Sequence, residues 1–167
     1  MHADAHNAKP LRLLCIDDEM RILRALKALF RDHEVQLCND PRQAVAMASQ
    51  FDVDVVICDQ RMPQMQGIEV LRELKSTAPR AMRILLTGYA DLKAVLGSVN
   101  EGEVYRYVNK PWDNAEMRAL VAEAGRISRD ASVITVDPIS ERDAAEARSE
   151  VGVLVLEDDV NSQARLR

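Results

Sequence analysis

Acidic side chains directly follow two of the apolar runs in this sequence, and their spacing could build a cation site. Asp17, Asp18 and Glu19 come after "LRLLCI", and Asp59 comes after "VDVVIC". If these runs are parallel strands, their carboxyl ends meet at one rim of the sheet and bring the carboxylates close together. Clustered carboxylates repel one another unless a hard cation neutralises them, and oxygen ligands suit Mg²⁺. The pattern therefore predicts a magnesium site.

A hydroxyl and an ammonium group stand at the ends of two further apolar runs. Thr87 ends "RILLT", and Lys110 comes shortly after "VYRYV". They offer a hydrogen-bond donor and a positive charge to an anion beside the cation, most simply a phosphoryl group. Asp59 is then the candidate nucleophile, because carboxylates act as acceptors in phosphoryl transfer. An acid that merely caps a strand or helix is common, so the hypothesis depends on the whole set.

Five apolar runs alternate with amphipathic segments along the chain, and this order predicts the elements that position the polar residues. Strict alternation with short connections is typical of a parallel sheet covered by helices on both faces. The run "VVIC" is apolar throughout, as expected of a central strand. We therefore predict a doubly wound α/β domain over residues 11–127, preceded by a tail at 1–10. The predicted strands are 11–16, 35–38, 53–58, 83–87 and 104–108.

Composition narrows the class of protein. With 47% apolar residues the chain can bury a core, and its net charge of -5 creates no general attraction to nucleic acid or anionic lipid. No apolar run approaches the roughly 20 residues of a membrane span, and the first ten residues lack the apolar core of a signal peptide. We expect a cytoplasmic protein without nucleic-acid or membrane partners, whose Cys15, Cys38 and Cys58 are buried, reduced thiols.

Four motifs make residues 11–127 resemble the receiver domain of two-component response regulators. They are "LLCIDDE", "VVICDQRMPQMQGIEVL", "ILLTG" and "YRYVNKPW", in this order. The resemblance implies the flavodoxin-like (βα)5 fold, with strand order 2-1-3-4-5. The stretch from "RILLTGYADL" to "NKPWD" is especially similar to receivers attached to HD-GYP-type effectors, and also to those of some transcriptional activators and hybrid kinases.

The resemblance also implies a role for each residue of the rim. Asp59 would accept a phosphoryl group from a histidine kinase, a phosphotransfer protein or a small phosphodonor. Asp18 and Asp59 would bind Mg²⁺ directly, Asp17 through water, and the backbone carbonyl of Arg61 would be a further ligand. Lys110 would pair with the phosphoryl group, and its peptide bond to the following proline would be cis.

By the same resemblance, Thr87 and Tyr107 would form the switch. Thr87 would hydrogen-bond the phosphoryl oxygen while Tyr107 turns inward, which alters the face made by the fourth helix, fifth strand and fifth helix. That face, or the C-terminal tail, would serve a homodimer or another partner. Arg61 and Tyr89, two positions beyond Asp59 and Thr87, would influence hydrolysis. The chain would not itself be an enzyme beyond self-phosphorylation and slow autodephosphorylation, and its effector domain is absent from this sequence.

Two other functions compete with the switch. A phosphatase of the haloacid dehalogenase type would need a second Asp two residues after the nucleophile, and Arg61 stands there. A pseudo-receiver that serves as an interaction or dimerisation module without phosphorylation usually lacks the acidic pair, the nucleophile or the lysine. Asp17, Asp18, Asp59 and Lys110 are all present in this sequence.

The C-terminal extension, residues 128–167, allows two interpretations. It contains strand-like "SVITVDP", helix-like "SERDAAEARSE" and a second apolar run, "VGVLVLEDD", that resembles the first run with its acids. The last segment is either the start of a second α/β domain or a strand that pairs with a sheet edge. Both interpretations stay open at this point.

Overall fold

A five-stranded parallel sheet forms the centre of the computed structural model, which describes residues 9–97, 99 and 102–134. The strand order is β2-β1-β3-β4-β5, as predicted. Every residue of β3 is buried, because this strand lies in the middle of the sheet and both of its faces are covered. The strands are β1 (Arg12–Ile16), β2 (Glu34–Cys38), β3 (Val55–Asp59), β4 (Met82–Thr87) and β5 (Arg106–Asn109).

In the described part of the chain, five α-helices cover the two faces of the sheet. One face packs against α1 and α5 through Leu23, Leu26 and Val121, and the other packs against α2, α3 and α4 through residues such as Leu71 and Val95. The helices are α1 (Met20–Leu29), α2 (Ala44–Gln50), α3 (Gly67–Thr77), α4 (Tyr89–Leu96) and α5 (Asn114–Ile134). The arrangement confirms the predicted doubly wound fold and places the carboxyl ends of all five strands on one rim of the sheet.

The fifth helix is longer than the sequence pattern indicates, since it continues past residue 127 to Ile134. Its last described turns are attached to the amino-terminal end of the sheet. Ser128 is buried and donates a hydrogen bond to the carbonyl of Arg80. Arg129 donates to the carbonyls of Lys9 and Pro10. The domain end expected at residue 127 therefore falls inside α5. The expected strand-like segment "SVITVDP" begins within this helix, and the expected tail elements beyond residue 134 lie outside the described residues.

A buried carboxylate organises this amino-terminal end of the sheet. Asp54 is 4% exposed and accepts hydrogen bonds from the backbone N–H of Arg12 at 2.9 Å and from the guanidinium of Arg80 at 2.8 Å. Arg129 lies 3.3 Å from the same carboxylate. Burial by itself raises the pKa of Asp54, but the bonds from Arg12 and Arg80 and the nearby positive charges outweigh it, so the pKa is lowered. The charged form of Asp54 therefore stabilises the fold.

We expect Asp54→Asn to lower the free energy of unfolding by about 3 kcal/mol at pH 7, because it leaves buried donors without their anion. Since folding lowers the pKa of Asp54, this stabilisation is present above the ordinary carboxyl pKa and is lost as the pH falls through the folded-state value. Urea unfolding at several pH values measures both effects. The control is Asp52→Asn, which removes a 72% exposed partner of Arg80 and should cost less than about 1 kcal/mol. Equal losses in the two variants would contradict the assignment.

Two further observations concern the cysteines and the possibility of a membrane-spanning helix. Cys15, Cys38 and Cys58 are buried and free, as predicted. Among the described residues, no helix is both long and apolar enough to cross a membrane.

Candidate functional site

Three carboxylates meet at the carboxyl ends of β1 and β3. One carboxylate oxygen from each of Asp17, Asp18 and Asp59 lies within 4.8 Å of the others. Neighbouring strands β1 and β3 pair Ile16 with Cys58, so the residues that follow them leave the sheet side by side. The backbone N–H of Glu19 donates to Asp17 at 2.9 Å and holds that carboxylate at the rim. The structure thus brings together the acids that the sequence placed at the strand ends.

Lys110 reaches the same cluster from the end of β5. Its ammonium forms an ion pair with Asp59 and lies 3.7 Å from Oδ2 of Asp17. The backbone N–H of Lys110 donates to the carbonyl of Thr87 at 3.1 Å, which continues the pairing of β4 with β5. The peptide bond between Lys110 and Pro111 is cis, as predicted. A positive charge therefore lies directly against the candidate nucleophile.

Burial changes the acidity of these groups. It raises the pKa of Asp17 to about 6, and the negative charges of Asp59 and Asp18 add to this effect. Burial also raises the pKa of Asp59, although the hydrogen bond and charge of Lys110 oppose the change. For Lys110, burial lowers the pKa, but its bond to Asp59 and the surrounding negative charges outweigh it, so the pKa is raised. The cluster carries more negative charge than one ammonium neutralises.

The donor set fits a small hard cation. Oδ2 of Asp17 is buried and has no hydrogen-bond partner among the described residues. A buried carboxylate oxygen without a donor costs free energy, and a bound cation would remove that cost. Asp17, Asp18 and Asp59 offer only oxygen ligands, which Mg²⁺ prefers. The residues present therefore fit a magnesium ion.

The two expected switch residues lie on neighbouring strands, Thr87 at the end of β4 and Tyr107 within β5. Thr87 is buried, and its hydroxyl donates to the neighbouring carbonyl of Gly88 at 3.3 Å. Tyr107 is partly buried and packs against the core on the α3–α4 face. Burial raises the pKa of its phenol, and the negative charge of Glu103 adds to the rise. Their movement on phosphorylation stays a prediction.

The segment between β3 and α3 holds a contact that sequence reasoning missed. The guanidinium of Arg61 forms a 2.6 Å ion pair with Asp91 in the first turn of α4. Gln60 is buried, and its side-chain carbonyl accepts the backbone N–H of Ile68 at 2.9 Å. Asp91 lies 30 residues beyond Arg61, so no local pattern links them.

Most apolar side chains of α5 belong to the core. Met117 and Val121 are buried, and Leu120 is partly buried, whereas Ala115 is exposed. The apolar stripe of α5 therefore packs on the sheet and leaves little apolar surface for a partner. The most exposed large apolar side chains among the described residues lie on α4, where Tyr89 is 78% exposed and Leu96 is 54% exposed.

The sheet order and the acidic rim with its lysine define a class of protein. Residues 13–122 match the family model described as the response regulator receiver domain, and the chain belongs to this family. It is 36% identical over 105 residues to the hydrogenase transcriptional regulatory protein HoxA of Cupriavidus necator, a match that covers 62% of this chain and 22% of HoxA. It is 35% identical over 115 residues to the regulatory protein AtoC of Escherichia coli, covering 68% of this chain and 25% of AtoC.

Solved structures agree with this assignment. The signal receiver domain of an HD domain-containing protein from Pseudomonas fluorescens is 32% identical and superposes with a TM-score of 0.69, covering 75% of this chain and 93% of that one. A chain described as an adenylate cyclase from Rhodopirellula baltica is 31% identical with the same TM-score, covering 75% of this chain and 94% of that one. The chain spans about a quarter of the length of the curated relatives HoxA and AtoC.

Proposed function

We propose that this chain is a phosphorylation-gated switch of a two-component system and that Asp59 accepts the phosphoryl group. The observation that carries the proposal is the ion pair between Asp59 and Lys110 inside a cluster of three carboxylates. A pocket of this kind holds a nucleophile, a counter-charge and cation ligands within reach of one another. Membership of the receiver family and the likeness to named transcriptional regulators support it.

In the proposed reaction, an oxygen of Asp59 attacks phosphorus, the bond to the donor's leaving group breaks, and an acyl phosphate forms. Lys110 neutralises the charge that collects on the phosphoryl oxygens, because its ammonium already lies against Asp59. When bound, Mg²⁺ would neutralise the acids and the incoming phosphoryl oxygens. Asp18, Asp59 and the backbone carbonyl of Arg61 would hold it directly, and Asp17 would hold it through water.

The output of the proposed switch passes through Thr87 and Tyr107. Thr87 would turn from the carbonyl of Gly88 to the phosphoryl oxygen, and Tyr107, which is partly buried against the core, would turn inward. Phosphorylation would then shift the population between two states of the α4–β5–α5 face. A homodimer through that face or through the tail is one form the output can take.

The proposed partners follow from membership of the receiver family. A histidine kinase or a phosphotransfer protein would supply the phosphoryl group, and an effector domain outside this sequence would read the result. Phosphoryl transfer to its own Asp59 and slow hydrolysis would be the only chemistry of the chain. The HD domain-containing relative illustrates one kind of attached domain, and HoxA and AtoC illustrate transcriptional regulators.

The test is intact mass after incubation with acetyl phosphate and Mg²⁺. We expect one phosphoryl adduct on the wild-type chain, loss of the adduct when EDTA replaces Mg²⁺, and no adduct on Asp59→Asn. Asp32→Asn is the matched control, because it makes the same change at an exposed position away from the rim. No adduct on the wild type, under conditions that label another receiver, would instead favour an interaction module that phosphorylation does not control.

A further inference from the structure

An ion pair crosses from the segment after the phosphorylation site to α4. Arg61 comes two residues after Asp59, and its guanidinium lies 2.6 Å from the carboxylate of Asp91. The pair borders a groove of about 240 Å³ between the β3–α3 segment and α4, which Met62 and Val95 also line. The side chain of Arg61 is 81% exposed, so it is free to rotate to another anion. The contact thus links the rim to a helix on the expected output face.

The fourth helix has few other attachments in the part of the chain that the structure describes. Val95 is the one buried residue of α4, and the two ends of the helix carry the exposed side chains of Tyr89 and Leu96. No side chain caps its amino-terminal end at Gly88. A helix that buries so little apolar surface opens at low cost in free energy. The pair at Asp91 is therefore one of the contacts that hold α4 against the β3–α3 segment.

Charge determines when Arg61 is drawn away from Asp91. Three carboxylates, the ammonium of Lys110 and one bound Mg²⁺ leave the pocket formally neutral. Phosphorylation replaces the single charge of Asp59 with up to two negative charges on the phosphoryl group, so the pocket gains a net negative charge. Arg61 is the arginine nearest to Asp59 in the chain, and a guanidinium binds phosphoryl oxygens in bidentate fashion.

We propose that the Arg61–Asp91 ion pair is a phosphorylation-sensitive latch. Asp91 is a positioning residue that pairs with Arg61 before phosphorylation, and the phosphoryl group replaces Asp91 as the partner of Arg61 afterwards. The inference rests on the proposed phosphorylation of Asp59. Before phosphorylation the latch restrains α4, and afterwards Arg61 pairs with the phosphoryl oxygens and α4 is released. A chemical change at the rim is thereby converted into a change in the mobility of one helix.

Hydrogen exchange of peptides from residues 89–96 tests the latch, with intact mass recorded on the same samples. Without phosphodonor, we expect exchange of α4 to be about two- to five-fold faster in Arg61→Gln and in Asp91→Asn than in wild type. The double variant should be no faster than either single variant, because both remove the same contact. After phosphorylation, exchange in wild type should rise to the level of the variants, which themselves should change little.

The control is Lys93→Gln, which removes a positive charge from an exposed position of α4 and leaves the pair intact. It should behave as wild type before and after phosphorylation. A phosphoryl adduct combined with equal α4 exchange in wild type, Arg61→Gln and Asp91→Asn would overturn the latch and leave the proposed function standing. Absence of the adduct on wild type would overturn both, because the latch would then have no trigger.

Discussion

The Asp17→Asn variant is expected to unfold at a higher denaturant concentration than the wild type when Mg²⁺ is removed by EDTA. Folding raises the pKa of Asp17 from 3.8 to about 6, which means that the folded chain favours the neutral form of this side chain. At pH 7 the side chain is nevertheless charged, and its buried charge lowers the stability of the fold. Each pKa unit corresponds to about 1.4 kcal/mol, and we expect a gain of roughly 2–3 kcal/mol in the free energy of unfolding. Asparagine keeps the oxygen that accepts the N–H of Glu19.

The pH dependence of this gain has a defined sign. Because the folded-state pKa of Asp17 is the higher one, the wild type gains stability as the pH falls from above 6 to below the ordinary value of 3.8. The advantage of Asp17→Asn should therefore be largest at pH 7 and should disappear near pH 4. Urea titrations in EDTA at several pH values measure it.

Adding Mg²⁺ should make the wild type more stable than Asp17→Asn. A cation that binds only the folded state stabilises it by mass action, and Asp17 supplies one of the charges that attract it. Wild type should gain stability with Mg²⁺, and Asp17→Asn should gain much less. Asp32→Asn, an exposed acid in the turn after α1, is the control and should follow wild type throughout. If Asp17→Asn is no more stable than wild type in EDTA, the inference that the charge of Asp17 destabilises the metal-free fold is wrong.

The Gly67→Ala variant should lose both stability and phosphorylation. A Cβ atom at this position would lie 2.1 Å from the carbonyl oxygen of Asp59 and 2.9 Å from the Cα atom of Gln60. Both contacts are with backbone, so the start of α3 and the end of β3 must move apart. Overpacking of this kind costs about 1–3 kcal/mol, and we expect the upper part of that range or more because no flexible side chain can yield.

The displacement would fall on the residue that accepts the phosphoryl group. The rate of adduct formation from acetyl phosphate should drop at least about ten-fold, since misplacing reacting groups by an ångström costs on that order or more. Gly97→Ala is the matched control, because the nearest heavy atom to its new Cβ lies 3.7 Å away. It should match wild type in urea unfolding and in labelling rate. If Gly67→Ala is labelled at the wild-type rate, the geometry of the rim does not depend on the close approach of Gly67 to the backbone of Asp59.

The sequence by itself determined the fold and the members of the rim. An apolar run such as "VVIC" specifies a strand buried on both faces, and strict alternation with helices specifies a parallel sheet. Because such a sheet places all its strand ends on one rim, Asp17, Asp59 and Lys110 had to approach one another. These conclusions need only local patterns and one general property of α/β sheets.

Only the tertiary structure decided which polar atoms lack or gain a partner. The missing donor at Oδ2 of Asp17 and the ion pair between Arg61 and Asp91 depend on side chains brought together by helix packing and strand register. The turns of α5 past residue 127 likewise contact distant parts of the chain, since Arg129 donates to the carbonyls of Lys9 and Pro10 about 120 residues earlier. Periodicity indicated an amphipathic helix there, and its packing on the sheet then decided that Met117 and Val121 are buried whereas Ala115 is exposed. Local patterns determine elements, whereas contacts between distant residues are set only when the elements pack.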